Sequence, residues 1–240
     1  MIQCTTPEAC IAKIRLSIAE GAEAIGIQLE KLKTEDKTKE KLQEIFKACE
    51  GLPIYVTNYN HSENNGKTED EIAEDMLTAV DAGATLIDVY GDMFEKSPHY
   101  QLSTDSAAVE KQKELIAKIH ERGGEVLISS HTFKDISTDE SVMIAKAHIE
   151  RGADVIKIVN HADSKDRVCE HLTAIQRITA MTDKKLLLLV SGEGQIVRYI
   201  GPNFGVCMYL TVAYHGKIDT PQQPLLRKAK AIRDNIRFDI

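Results

Sequence analysis

Short apolar runs alternate with longer amphipathic stretches along the whole chain. The short runs are rich in Val, Ile and Leu, which is typical of strands covered on both faces, as in a parallel sheet. They predict strands at residues 2–4, 24–29, 54–58, 86–90, 126–130, 155–160, 186–190 and 206–210. The stretches between them predict helices at residues 7–20, 37–50, 68–82, 106–122, 138–151, 164–180, 193–200 and 221–235.

Eight strand–helix units are the number that closes a β/α barrel. Gly21, Gly83 and Gly152 are each followed by Ala and each separate a predicted helix from the next strand, so alternate units share one turn. No linker or low-complexity tract divides the chain. The pattern therefore predicts an α/β fold, a (β/α)8 TIM barrel, as a single domain over residues 1–240. In such barrels the chemistry lies at the carboxyl ends of the strands.

Composition narrows the function classes. The 240 residues contain 30 Lys+Arg and 37 Asp+Glu, and the net charge of -7 argues against a nucleic-acid partner. The five cysteines form no pair or cluster that suggests a disulfide framework or a metal site. No basic and then apolar leader is visible, and the longest apolar run, 186–190, is far shorter than the ~20 residues of a membrane span. We expect a cytoplasmic protein without a membrane anchor.

Lys157 is the most informative candidate residue, because it interrupts a strand that is otherwise apolar. If it points into the barrel, its ammonium loses water and deprotonates more easily, which leaves a nucleophilic amine. Such an amine condenses with a carbonyl compound to an imine, and the imine acidifies the neighbouring C–H. The alternative is a lysine that faces outward between helices.

Two further positions follow strand ends. His131 closes the fifth predicted strand, one strand away from Lys157, and its imidazole suits proton transfer near neutral pH. Residues 191–198 carry two glycines and end in Arg198, an arrangement that suits the binding of an anion. The alternative is a glycine turn followed by a surface arginine. The polar loop 58–66 is interpreted as a solvated loop, with a lid or a hydrated metal site as the alternatives. The charged run 31–41 is interpreted as a solvated helix start.

Four segments together resemble the type I 3-dehydroquinase family. Residues 129–133, SSHTF, resemble the family's S-Y-H-D-F strand, and residues 152–158, GADVIKI, resemble its G-A-D-I-x-K-I strand. Residues 191–198 resemble its S-M-G-x-x-G-x-x-S-R motif, and residues 220–223, TPQQ, resemble its A-P-G-Q. The resemblance covers the whole chain in matching order.

The resemblance implies a hydro-lyase that needs neither a metal nor an organic cofactor. Lys157 would form an imine with the ketone of 3-dehydroquinate, and His131 would move the protons that release water. Arg198 and Gln223 would contact the substrate. The family also implies a homodimer in the shikimate pathway of aromatic amino acid biosynthesis, with a small carbonyl compound carrying a carboxylate as the partner.

Other family positions differ here. The E-x-R of strand two reads Gly26 and Gln28 at its charged positions, and the arginine that ends strand three is Tyr59. The strand-four glutamate that orients the catalytic histidine is Tyr90, and the serine before A-P-G-Q is Asp219. In this interpretation Gln28 and Tyr59 supply neutral substrate contacts.

Three functions remain open. The first is dehydration of 3-dehydroquinate. The second is a Schiff-base dehydratase or class I aldolase-type lyase that acts on a different keto-acid or keto-sugar. The third is a non-catalytic barrel derived from this family.

Overall fold

The computed structural model describes residues 1–236, in which helices and parallel strands alternate. The strands are β1 (Ile25–Gln28), β2 (Ile54–Thr57), β3 (Leu86–Tyr90), β4 (Glu125–His131), β5 (Val155–Ala162) and β6 (Lys185–Gly192). The α-helices are α1 (Pro7–Ala19), α2 (Lys39–Lys47), α3 (Glu69–Ala82), α4 (Ser106–Glu121), α5 (Thr138–Glu150), α6 (Val168–Met181), α7 (Val197–Ile200) and α8 (Leu226–Ile236).

The chain forms two compact units. The first unit contains Met1–Asp88, Ala117–Glu125 and Leu210–Lys228. The second unit contains Val89–Ile116, Val126–Tyr209 and, among the described residues, 229–236. In the first unit β1 pairs with β2 and β2 with β3, and in the second unit β4 pairs with β5 and β5 with β6, always in parallel.

Six of the eight predicted strands are strands, and the outer two are single parallel bridges. Ile2 bridges Ile27, and Val206 bridges Leu186. Ile2 donates its N–H to the carbonyl of Gly26, after which the chain turns into α1. A single bridged residue pair is too short to form a strand. Over residues 1–236 the structure therefore supports an α/β fold with six parallel strands, and it does not establish a closed eight-strand barrel.

Polar residues at the helix starts explain where the helices begin. The hydroxyls of Thr68 and Ser137 accept the N–H groups of Glu71 and Glu140, whose carboxylates bond back to the caps. These reciprocal bonds satisfy N–H groups that a helix start otherwise leaves without a partner. At the other end of α3, Gly83 has a φ of 117°, which a residue with a Cβ rarely adopts.

The interpretation of run 31–41 as a solvated helix start is wrong in part. Asp36 and Lys37 are buried, and the Lys37 ammonium donates to the side chain of Asn64. The Asn64 amide in turn donates to Asn58 Oδ1 at 2.8 Å. The polar loop 58–66 is thus held against the charged run, because the side-chain oxygen of Asn64 accepts a hydrogen bond from the buried Lys37 ammonium.

No helix among residues 1–236 combines the length and the apolar character that a membrane crossing requires.

Candidate active site

Lys157 lies on the face of β5 that points away from the neighbouring helices. The Asn160 amide donates to Ser141 of α5 at 3.2 Å and to His171 of α6 at 3.4 Å, so the Asn160 face carries the helices. Residues three apart on a strand point to opposite faces. Lys157 is therefore on the other face, where only 4% of it is exposed. This placement does not agree with the alternative of a lysine between helices.

His131 lies on the same face as Lys157, one strand away. The hydroxyl of its neighbour Ser130 contacts His148 of α5 at 2.9 Å, so Ser130 is on the helix-covered face and His131 on the other. His131 is in register with Val159, two residues beyond Lys157. Two residues along and one strand across place the two Cβ atoms about 8 Å apart, a gap that a small molecule spans.

Arg198 is a buried cation on α7, with only 7% of its surface exposed. Its Nε donates to the carbonyl of Val190 on β6 at 2.8 Å. Among residues 1–236 no carboxylate forms an ion pair with it. Burial lowers its pKa to about 10, so the guanidinium is still charged at neutral pH. A buried charge without a counter-ion is costly, and an incoming anion removes that cost.

The other three predicted contacts belong to the first unit. Gln28 ends β1 and is half-buried, and its side chain forms no hydrogen bond within the described chain. Tyr59 donates its hydroxyl proton to Asp88 Oδ2 at 2.7 Å. Gln223 is 7% exposed, and its buried Oε1 has no hydrogen-bond partner in the part of the chain that the structure describes.

Two buried carboxyls, Glu30 and Asp88, form a hydrogen-bonded cluster with Tyr55, Thr57 and the half-buried Tyr59 near the carboxyl ends of the strands of the first unit. Asp88 on β3 accepts the hydroxyl protons of both tyrosines. Glu30 accepts the Thr57 hydroxyl at 2.9 Å. Burial raises the pKa of Glu30 to about 7 and also raises the pKa of Tyr55. Glu30 was not among the site residues predicted from the sequence.

Glu30 is expected to make stability depend on pH. Its folded-state pKa is above the ordinary value of 4.5, so between pH 4.5 and about 7 the folded state binds the additional proton and stability falls as pH rises. Glu30→Gln removes this dependence. Relative to the parent protein, the variant should gain about 3 kcal/mol at most in free energy of unfolding between pH 4 and pH 8. Urea titrations across this range measure the gain. The exposed Glu44→Gln is the control, and parallel curves for Glu30→Gln and the parent would contradict the prediction.

Three positions that depart from the family pattern have the following surroundings. At Gly26 a Cβ would lie 2.1 Å from Met1 Sδ, so no larger residue fits there without moving Met1. Tyr90 is a buried side chain at the end of β3. Asp219 forms an ion pair with Lys13 of α1 at 2.8 Å, so its charge is compensated within the first unit.

Two polar residues of the second unit, His161 and Gln101, were not predicted from the sequence. His161 lies four residues beyond Lys157 on β5 and therefore on the same face. Its Nδ1 is 3.0 Å from Ser191 Oγ, and that hydroxyl donates to the carbonyl of Asn160 at 3.1 Å. The period-two alternation of β5 was a signal that could have found His161. Gln101, which contacts His131, had no such signal.

The sequence profile of one known family covers almost the whole chain. The profile for "Type I 3-dehydroquinase" matches residues 1–237. The chain belongs to the type I 3-dehydroquinase family. This membership makes it a hydro-lyase of the dehydroquinate dehydratase type. No curated protein sequence matches the chain.

Solved structures of dehydroquinate dehydratases share the fold. The enzyme from Clostridium difficile, solved with covalently modified comenic acid, has a TM-score of 0.82 at 20% identity and covers 100% of this chain and 91% of its own. The enzyme from Geobacillus kaustophilus has a TM-score of 0.80 at 15% identity, with coverages of 98% and 88%. The enzyme from Enterococcus faecalis has a TM-score of 0.78 at 16% identity, with coverages of 98% and 92%.

Proposed function

We propose that the protein removes water from 3-dehydroquinate to give 3-dehydroshikimate through an imine on Lys157. The observation that carries the proposal is the placement of Lys157 and His131 on one face of neighbouring strands. Family membership supplies the substrate class. A buried amine and an imidazole on side chains whose Cβ atoms are about 8 Å apart are the two groups that imine-based dehydration requires.

Each group has one task in the reaction. The Lys157 amine adds to the ketone carbon, and loss of water from the adduct leaves a protonated imine. His131 then removes a proton from the carbon next to the imine, which gives an enamine. The enamine expels the β-hydroxyl as His131 returns its proton, so water leaves. Hydrolysis of the conjugated imine frees the product and restores the lysine, and the net change is the loss of one water.

Binding is assigned to the remaining candidate residues. The uncompensated charge of Arg198 suits the substrate carboxylate, which would form two parallel hydrogen bonds with a guanidinium. The buried Oε1 of Gln223 suits a substrate hydroxyl, because an acceptor without a partner gains most from a donor. Gln28 and Tyr59 provide neutral contacts. No metal or organic cofactor takes part in the proposed reaction.

The proposed setting follows the family. We place the protein in the cytoplasm, in the shikimate route to aromatic amino acids, as a homodimer of single (β/α)8 barrel domains that span residues 1–240. We assign it neither a nucleic-acid nor a membrane partner.

One observation favours a second candidate function. The first unit carries the carboxyls Glu30 and Asp88 close to the ends of its strands, where the family pattern has arginine at two positions. Carboxyls near these two positions disfavour binding of a substrate carboxylate there. This favours a Schiff-base lyase that acts on another keto-acid or on a keto-sugar.

Borohydride trapping separates the two candidates. Incubation with 3-dehydroquinate and borohydride should add the mass of the reduced adduct to the protein, and peptide mapping should place it on Lys157. Without borohydride, the absorbance of the conjugated product should grow. If 3-dehydroquinate gives neither signal while another keto-acid or keto-sugar is trapped on Lys157, the second function replaces the first.

His131→Ala should leave trapping intact but slow turnover by about 10²–10⁴-fold, because the amine still forms the imine while the proton carrier is lost. The comparison of trapped mass with the rate of absorbance growth measures this split. His120→Ala, which changes a histidine in the last turn of α4, is the matched control. An unchanged turnover rate in His131→Ala would remove His131 from the mechanism.

A further inference from the structure

We propose that Gln101 is a positioning residue that holds His131 in the tautomer protonated at Nδ1; the catalytic consequence rests on the proposed function. Gln101 lies between β3 and α4, in the second unit. Its Oε1 lies 3.0 Å from the backbone nitrogen of His131 and 2.6 Å from His131 Nδ1. One side-chain atom thus contacts both the backbone and the ring of the same histidine.

The two contacts of Gln101 Oε1 with His131 determine which nitrogen of the imidazole ring carries the proton. A backbone N–H only donates, so the side-chain atom of Gln101 that faces it must be the amide oxygen. The same oxygen then cannot donate to the ring, and Nδ1 must carry the proton. In a neutral imidazole this leaves the lone pair on Nε2, the nitrogen that can accept a proton from a substrate.

The backbone of Gln101 is held in place from both sides. The Ser130 hydroxyl donates to the Gln101 carbonyl at 3.1 Å. Ser130, which precedes His131 on β4, thus holds the main chain of Gln101, whose side chain contacts the His131 ring. Gly91, at the start of this connection, has its carbonyl bonded by Arg151 at 2.7 Å and by Gln112 at 3.1 Å. Arg151 also donates to the carbonyl of Ser103, just after Gln101.

The connection adopts an unfavourable backbone conformation at this point. Tyr100 and Gln101 have φ values of 61° and 49°, in the left-handed region that side chains with a Cβ rarely adopt. The Tyr100 hydroxyl is anchored to Glu140 at 2.7 Å. Backbone strain of this kind persists where the surroundings over-determine it, and it clusters at functional sites. Here the strained residue is the one that presents its amide to His131.

The amide suits a base that must take up and return a proton. When Nε2 gains a proton, Nδ1–H still donates to Gln101, so the same contact serves both protonation states. The family pattern has a glutamate as the partner of this histidine, and that position is Tyr90 here. The structure therefore assigns the orienting task to a neutral residue that lies on a loop.

Nitrogen-15 NMR of histidine-labelled protein tests the tautomer without substrate. The His131 signals, assigned by their loss in His131→Ala, should show a protonated Nδ1 and an unprotonated Nε2 at alkaline pH. Gln101→Leu should shift the ring toward the Nε2-protonated form, which free histidine prefers. Gln101→Glu, which keeps an oxygen acceptor, should retain the original signals. Gln43→Leu, an exposed glutamine on α2, should change nothing.

Kinetics test the catalytic consequence separately. Gln101→Leu should lower kcat by about 10²-fold with KM changed less than about three-fold, while imine trapping on Lys157 persists. Gln101→Glu should restore most of kcat. An Nε2-protonated His131 in the parent protein, or unchanged signals and kcat in Gln101→Leu, would overturn the proposal. Absence of trapping and turnover in the parent protein would overturn the proposed function instead, and the NMR result on Gln101 would still stand.

Discussion

Lys157→Met is expected to abolish borohydride trapping and to lower turnover by about 10⁴–10⁶-fold, because it removes the amine that is proposed to form the imine. Methionine has nearly the volume of lysine and carries no amine. Lys157 is buried, so an apolar replacement of similar size should leave the stability unchanged or slightly raised. Turnover, adduct mass and thermal melting of the same preparation separate loss of chemistry from loss of fold.

The matched control for this variant is Lys134→Met. Lys134 is an exposed lysine just after β4, in the same unit as Lys157. It should keep parent-like turnover and a full yield of adduct. Dehydration by Lys157→Met within ten-fold of the parent rate, or an adduct on another lysine, would count against imine chemistry at this position.

Arg198→Met should weaken substrate binding by about 10²–10³-fold or more. Removing the cationic partner of a buried carboxylate typically costs about 3–5 kcal/mol, and each 1.4 kcal/mol is a factor of ten. The protein itself should lose little stability. The lost bond to Val190 is worth about 1 kcal/mol, and relief of an uncompensated buried charge offsets it. KM for 3-dehydroquinate and the melting temperature are the two measurements.

Arg177→Met provides the comparison for Arg198→Met. Arg177 forms an exposed ion pair with Asp139 at 2.5 Å, and exposed pairs contribute about 0–1 kcal/mol. Both KM and melting temperature should change little in this variant. A KM for Arg198→Met that equals the parent value would show that the substrate anion binds elsewhere.

The strands of the site could be predicted from the sequence because their pattern is local. The alternation around Lys157 and the position of His131 at a strand end are read directly from consecutive residues, and the structure places both on one face. The two outer predicted strands were harder to judge. Residues 2–4 have the composition of a strand, but the chain turns into α1 after one bridge, which composition does not encode.

The remaining parts of the site depend on contacts between distant residues. Lys13 and Asp219 are 206 positions apart, so nothing near Asp219 indicates that its charge is compensated. Gln101 contacts His131 from a loop 30 positions earlier. Its left-handed backbone conformation is not indicated by any turn motif in the sequence. Lys37 lies in a charged run that was predicted to be solvated. Its hydrogen-bond partner Asn64 lies in loop 58–66, which was also predicted to be solvated, so neither segment indicated the contact.

The pair of tyrosines on Asp88 limits what Tyr59 can recognise. A phenol has a single hydroxyl proton, and Tyr59 donates it to the carboxylate of Asp88. While this bond is in place, Tyr59 can only accept hydrogen bonds from a ligand, through the lone pairs of its oxygen. This oxygen accepts hydrogen bonds from the alcohol groups of a polyol and repels a carboxylate. A ligand that contacts Tyr59 should therefore bind more tightly when it is rich in O–H donors than when it carries two carboxylates.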